Sequence, residues 1–396
     1  MDLLFEGIQG KIVKRGDEGY HHSVYQYASS SYEDQRLIEP EAVIYPIGDY
    51  DIQKAILYAK RKGLGIAIRT GGHHYSGASS TNGKNLQLDL SNTYTDFEWE
   101  PNTRYSQVTL GISLSLGKLL SKLEEAGRFV PTGQCSYVHL GGHVQTGGYG
   151  HLIRGFGLLS DCVQKIRIIN ADGAVQWVQR GIQKDKELFY ALLGGSPGNF
   201  GVVTDVTMNV YKDQDYPKSR GLHVRVQYSP ERLERLLNVM VEQDDTDDTP
   251  ADYDYSVTVV SGRLAEGRPE GISVFAQWAN LQGKDQDYDP ALFNKIKAAI
   301  GERTPWMPHD GIEYDDIEAP MSKLASHWVF PIAREFQLPY VKRAYITESR
   351  TLKLDGWASW TAGRLHEIIG SPTKNCYVSA QFQYIGGRHS RFRLND

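Results

Sequence analysis

Residues 69–77 read RTGGHHYSG and directly follow the apolar run Ile66-Ala67-Ile68. Paired glycines at the end of a strand mark backbone packed close to something, because only glycine turns there without a side chain. A second stretch, residues 134–150, reads QCSYVHLGGHVQTGGYG, and a third, residues 194–201, reads GGSPGNFG. Glycine-rich strand-to-loop turns expose backbone N–H groups that form anion-binding nests, so phosphate binding is the simplest function for them. No Gly-Lys-Ser/Thr follows, which excludes a Walker loop. No G-x-G-x-x-G follows the first strand, which argues against a nicotinamide enzyme of the usual kind. Glycines alone fit tight turns in a large α+β fold equally well.

With 396 residues the chain is long for one domain and comfortable for two. Hydrophobic residues make up 40% and charged residues 23%, an ordinary globular balance. The net charge of −5 offers no overall basic surface to nucleic acid or anionic lipid. Cys135, Cys162 and Cys376 are odd in number and far apart, so neither a disulfide framework nor a zinc cluster is expected. No metal site is expected. The N-terminus lacks a basic segment followed by an apolar one, and no apolar run is long enough to span a bilayer. A cytoplasmic location is the expectation, or secretion if the N-terminus is incomplete.

Periodicity predicts a helix over residues 51–62, stopped by Gly63 and Gly65, and a second through Leu116, Leu119, Leu120 and Leu123 that stops near Gly127. LQLDLS (86–91) alternates as a half-buried strand does. Residues 164–170 and 174–179 flank Ala171-Asp172-Gly173 as a hairpin. A helix over 186–193 leads to the third glycine stretch, and residues 202–210 alternate as a strand. The polar run at 212–219 marks a domain boundary. Beyond it, strands are expected at 221–227, 255–261, 272–278 and 377–385, with helices at 230–242 and 290–299. The acidic run QDDTDDTPADYD (243–254) reads as a solvated loop.

The three motifs, in this order and spacing, resemble the berberine bridge enzyme-like FAD-linked oxidases of the vanillyl-alcohol oxidase / p-cresol methylhydroxylase (PCMH) superfamily. The resemblance covers roughly residues 30–215 strongly. Beyond that, FPIAREFQLPYVKRAY and VSAQFQYIGGRHSRF also look like family segments. It implies an α+β fold: an N-terminal segment (1–35), a two-subdomain FAD-binding PCMH-type domain (36–215), and a substrate-binding domain (216–396) with an antiparallel sheet covered by helices. It implies FAD bound covalently, His73 to the flavin 8α-methyl carbon and Cys135 to flavin C6. Imidazole nitrogen and thiolate are both good nucleophiles toward an electron-poor ring. The backbone of Arg69, Thr70, Gly71, Gly72 and His73, with Gly141, Gly142 and His143, is expected to hold the pyrophosphate, and Ser76 is a further expected cofactor contact. Gly147, Gly148 and Gly150 are expected to allow close approach of the cofactor. Gly201, Val202 and Val203 resemble the segment that touches adenine, or are an ordinary strand start.

Val138, three residues after Cys135, matches the family's oxygen gate, where a small apolar residue goes with oxidase behaviour. Small-molecule substrate and O2 are thus the expected partners, with no nucleic acid and no membrane. Tyr75, Gln381, Gln383 and Tyr384 are the candidate substrate-side residues. In the strand 378–385, Ser379, Gln381 and Gln383 share one face, and Ala380, Phe382 and Tyr384 the other. His74 is expected to point away from the site, and Cys162 and Cys376 to be ordinary cysteines. Thr146 and Cys162 depart from the family pattern of glycine and asparagine. Family chains also continue past the point matching Asp396 into a segment with a Tyr-x-Asn motif and frequently the catalytic base. The expectation is an oxidase passing hydride from an alcohol or activated C–H of a carbohydrate or secondary metabolite to flavin N5 and on to O2. A dehydrogenase or oxidative cyclase, or an inactive flavin-binding fragment, is the alternative.

Overall fold

The computed structural model describes residues 5, 7–25, 38–75, 77–195, 197–245, 249–262, 270–283, 286–302, 314–327, 342–369 and 378–394. Ser76, Cys376 and most of FPIAREFQLPYVKRAY lie outside them.

The first sheet comprises β1 (Lys11–Lys14), β2 (Ala42–Tyr45), β3 (Ile66–Arg69) and β4 (Leu86–Asp89), in the order β1-β2-β4-β3. β1 runs antiparallel to β2, while β2, β4 and β3 are parallel. Parallel strands are covered on both faces. β4 is accordingly buried at every position, Gln87 and Asp89 included, and the half-buried strand read from LQLDLS is corrected. The second sheet forms from the next stretch of strands: β5 (Phe97–Trp99), β6 (Gln107–Gly111), β7 (Arg128–Phe129), β8 (Val163–Ile169), β9 (Val175–Gln179), β10 (Val202–Asn209) and β11 (Tyr211–Lys212). Five of them pair in the order β5-β6-β10-β8-β9, and β7 pairs with β11. The β8–β9 turn carries Gly173 at φ 78, as the hairpin reading requires.

The helices are α1 (Tyr20–Val24), α2 (Asp49–Lys62), α3 (Leu116–Glu125), α4 (Leu140–Gln145), α5 (Ile153–Phe156), α6 (Lys186–Leu192), α7 (Pro230–Asp245), α8 (Ala291–Ile300), α9 (Met321–His327), α10 (Ser349–Leu352), α11 (Trp357–Ile369) and α12 (Arg391–Leu394). α2 ends on Gly63 in the left-handed region, φ 65. One apolar core joins the first two sheets to α2, α3, α4 and α6. Cys162 is part of it, and burial pushes its thiol up to about 12, which makes it an inert small hydrophobe.

A third sheet starts at residue 220. It contains β12 (Arg220–Gln227), β13 (Tyr253–Val260), β14 (Gly271–Trp278), β15 (Tyr314–Glu318) and β16 (Ser379–Tyr384), in the order β15-β12-β14-β13-β16, antiparallel throughout. Period-two alternation divides its residues. Leu222, Val224, Val226, Ile272, Val274, Tyr255, Val257 and Val259 pack against α7, α8 and α11 as a second core. The opposite face is polar. The described residues of 243–254 are not the solvated loop that the charges of the run implied. Asp252 and Asp254 are each 3% exposed, because Asp252 accepts from Leu281 N (2.7 Å) and Asp254 from Arg154 N (3.2 Å).

A third cluster, including Phe129, Leu152, Phe156, Phe275 and Met321, fills the space between the unit formed by the first two sheets and the third sheet. Arg154, with no exposed surface, crosses there as well. Its guanidinium donates to the carbonyls of Gly386, Pro250, Thr249 and Tyr253 and lies 4.5 Å over the Tyr384 ring. Among the described residues, no helix is long and apolar enough to cross a membrane, and no group of three or more His, Cys, Asp or Glu could hold a metal ion.

Candidate flavin site

β3 delivers the chain into Thr70–Tyr75. What anchors its end is the Arg69 side chain, which forms a buried ion pair with Asp89 on β4 (Nε to Oδ2, 2.8 Å) and donates to the carbonyls of Tyr25 and Ser23. The guanidinium is thus spent on the fold, and only the backbone of residue 69 remains to serve a ligand.

The loop beyond Arg69 meets the second motif. A side-chain carbon at Gly71 would stand 3.0 Å from His73 Cδ2 and 3.1 Å from His139 Cδ2. One at Gly141 would stand 2.8 Å from Thr70 Cγ2. His73 donates a ring N–H to the Tyr137 carbonyl, a bond that favours its charged form. Burial outweighs that bond and, helped by the neighbouring His139 imidazole, holds the His73 pKa down at about 4. His73 is therefore a neutral imidazole near pH 7, the nucleophilic form. His74 is exposed and its Nδ1 accepts weakly from Ala78 N (3.4 Å). Cys135 is a free, partly buried thiol at the start of the loop whose far end carries Tyr137 and His139. Val138 N donates to Cys135 O (3.2 Å), and the Val138 side chain packs against the first core.

The glycines of the second motif divide into two kinds. Gly141 and Gly142 lie in the first turn of α4. Gly141 N–H is already given to Ile112 O (2.8 Å). A side-chain carbon at Gly142 would meet nothing within 4 Å, so open space lies over that turn. The later glycines, like Gly141 and unlike Gly142, are close to protein. A carbon at Gly150 would stand 1.7 Å from Thr132 O, at Gly148 2.9 Å from Leu159 Cβ, and at Gly147 3.3 Å from Leu158 Cδ1. What approaches closely at these three positions in the structure is the chain itself. His143 is a brace: its Nε2 accepts from Gly133 N (2.9 Å), and burial holds its pKa down at about 4. Thr146 closes α4 by donating to Gly142 O (2.7 Å), so its side chain costs the loop nothing. Val202 and Val203 open β10, buried and paired with Ile169 and Ile168, and Gly201 precedes them at φ 136.

On the third sheet, Gln383 and Gln381 lie on the polar face, opposite Ser256 and Thr258. Gln383 Nε2 donates to Gly150 O (2.7 Å), which ties this face to the second motif. Tyr384 does not join them. Alternation turns it to the helix-covered face, where it is 4% exposed beneath Arg154. Its place in the candidate site is corrected: it is a core residue. Tyr75 is partly buried, with Lys342 Nζ 4.7 Å over its ring.

Sequence reasoning missed His139 and His151. His151 sits under the polar face, its Nδ1 3.4 Å from Ser256 Oγ and its ring edge-on to Phe275. Tyr149, 52% exposed between two glycines, was also missed, although an aromatic inside GGYG is itself a signal of a side chain held outward.

Comparison with known proteins agrees with this geometry. A family model described as an FAD binding domain matches residues 40–179. Berberine bridge enzyme-like 12 of Arabidopsis thaliana is 37% identical over 168 residues, 42% of this chain and 31% of that protein. An FAD-linked oxidoreductase of Dictyostelium discoideum is 27% identical over 283 residues, 72% of this chain and 57% of the relative. The chain therefore spans between about a third and three fifths of these relatives. The solved structure of berberine bridge enzyme from Eschscholzia californica superposes with a TM-score of 0.63 at 18% identity, over 82% of this chain and 61% of that one, a likeness of fold. The resemblance read from the glycine motifs is borne out, and so is the α+β class: residues 40–179 match an FAD binding domain, and the chain is similar in sequence to berberine bridge enzyme-like proteins and in fold to berberine bridge enzyme.

Proposed function

We propose that this protein is an FAD-dependent oxidoreductase of the oxidase type, with the cofactor tethered through His73 and Cys135. The observation that carries the reading is the meeting of two loops. His73, held neutral, lies against the loop that begins with the Cys135 thiol. An imidazole lone pair and a thiol on adjoining loops are the donor set that a doubly attached isoalloxazine requires. When bound, FAD supplies a two-electron acceptor that takes hydride at N5 and passes the electrons to dioxygen, giving hydrogen peroxide.

The chain's own part is binding and orientation. The open turn at Gly142 leaves room for the pyrophosphate beside the backbone of Thr70–His73. Gln381 and Gln383, with Thr258 beside them on the sheet, present amide and hydroxyl groups to an alcohol-bearing substrate, a carbohydrate or secondary metabolite. Val138, a small apolar residue three positions after Cys135, supports an oxidase over a dehydrogenase.

The test starts with protein loaded with FAD and precipitated in acid. A pellet that stays yellow, with flavin mass on the Cys135 and His73 peptides, supports the tether; a colourless pellet removes it. Peroxide release is then measured over a panel of sugars, polyols and phenolic alcohols. Loaded protein that is reduced by none of them and releases no peroxide is a flavin binder and not an oxidase.

A further inference from the structure

We propose that His139 is a positioning residue for His73: the two rings pack on the same side of Gly71, and the loop bearing His139 supplies the carbonyl that receives the His73 N–H. The inference rests on the tether reading of His73 and assigns a role to a residue outside it.

Three features of one small region converge. Any side chain at Gly71 would press into both imidazoles, so the glycine keeps them together. The Tyr137 carbonyl fixes which His73 nitrogen holds the proton, leaving the lone pair on the other. His139 then bears on the protonation state. Burial is the larger reason that His73 stays neutral, and the second imidazole opposes a proton there in addition once it is itself protonated, so that the two rings are not charged together as the pH falls to about 4. His139 is itself held down at about 4 by burial, with Lys118 of α3 acting in the same direction and Asp89 of β4, already paired with Arg69, opposing. Among the described residues, these are the charged groups that act on the pair.

The covalent step needs the neutral form. A bond forms between an imidazole nitrogen of His73 and the flavin 8α carbon. The imidazole N–H and one methyl C–H leave as protons. The two electrons released pass through the isoalloxazine to dioxygen, which takes up two protons to become hydrogen peroxide. A protonated His73 has no lone pair with which to begin.

The experiment uses flavin-free protein and its variants His139→Ala and His139→Phe. The His73 midpoint is read by NMR titration. Attachment is read as flavin retained by acid-precipitated polypeptide after incubation with FAD in air, from pH 5 to pH 8, with His73→Ala identifying the His73 share. His139→Ala removes both cover and the opposing ring, so the midpoint is expected to rise by about one unit; that change halves the neutral fraction at about pH 5 and leaves pH 8 untouched. His139→Phe keeps the cover and should shift the midpoint in the same direction by less. Unaltered midpoints and unaltered pH profiles in both variants overturn the proposal. If the parent protein retains no flavin at His73, the tether reading fails, while the titration still decides the part assigned to His139.

Discussion

At the scale of single residues, side chains that look available in the sequence turn out to be committed elsewhere. Arg69 opens the first glycine motif, whose backbone is expected at the pyrophosphate. The Arg69 guanidinium is 6% exposed and occupied by Asp89, Ser23 and Tyr25. Nothing local announces this, because the partners lie 20 to 46 positions away. His73 is the opposite case: its motif marked it, and the structure supplies the neutral state that its chemistry needs. Arg69→Met leaves the Asp89 carboxylate buried without its ion pair. We expect a loss of about 3–5 kcal/mol, read from urea unfolding. A loss below about 1 kcal/mol would mean that the pair only decorates the strand end.

At the scale of elements, most of the fold was legible, since amphipathic spacing and glycine stops are local signals. α2, α3, the β8–β9 hairpin, α7 and α8 lie where periodicity placed them. β4 was misread because burial on both faces is decided by strand order, which no single strand encodes. The glycines of the second motif were legible as a set and not individually. Gly150 packs against Thr132 O, whereas Gly142 looks onto open space. Two substitutions separate these roles. Gly150→Ala should destabilise flavin-free protein by about 2–3 kcal/mol or more, because its new carbon cannot coexist with the carbonyl. Gly142→Ala, inside a helix, should leave that stability unchanged or raise it by roughly 0.5–1 kcal/mol, yet weaken FAD binding. Calorimetric titration of FAD into each variant checks the pair. Full FAD affinity in Gly142→Ala would remove this turn from the pyrophosphate site.

At the scale of the whole molecule, the flavin-type unit and the third sheet share an interior that holds several ionisable groups out of water, and this sets how the protein meets acid. Burial holds His73, His139 and His143 at about 4 and His151 at about 3. Each is neutral when folded and takes a proton near its ordinary value of about 6.5 when unfolded. Their contribution to stability is therefore present in full above about pH 6.5. It is lost as pH falls toward 4, each group adding a slope of at most about 1.4 kcal/mol per pH unit. Asp254 works in the other direction. Burial raises its carboxyl to about 7 despite Arg154 beside it, so the folded chain gains a proton there before the unfolded one does. It offsets one imidazole and leaves the others in excess. The urea midpoint of flavin-free protein should accordingly fall steadily from pH 7 to pH 5, and the fall should be shallower in His151→Phe, which removes a titrating ring from the junction between the two units. A midpoint that stays level or rises over that interval would mean that these imidazoles keep contact with water in solution. The neutral His73 on which attachment depends would then have no structural cause.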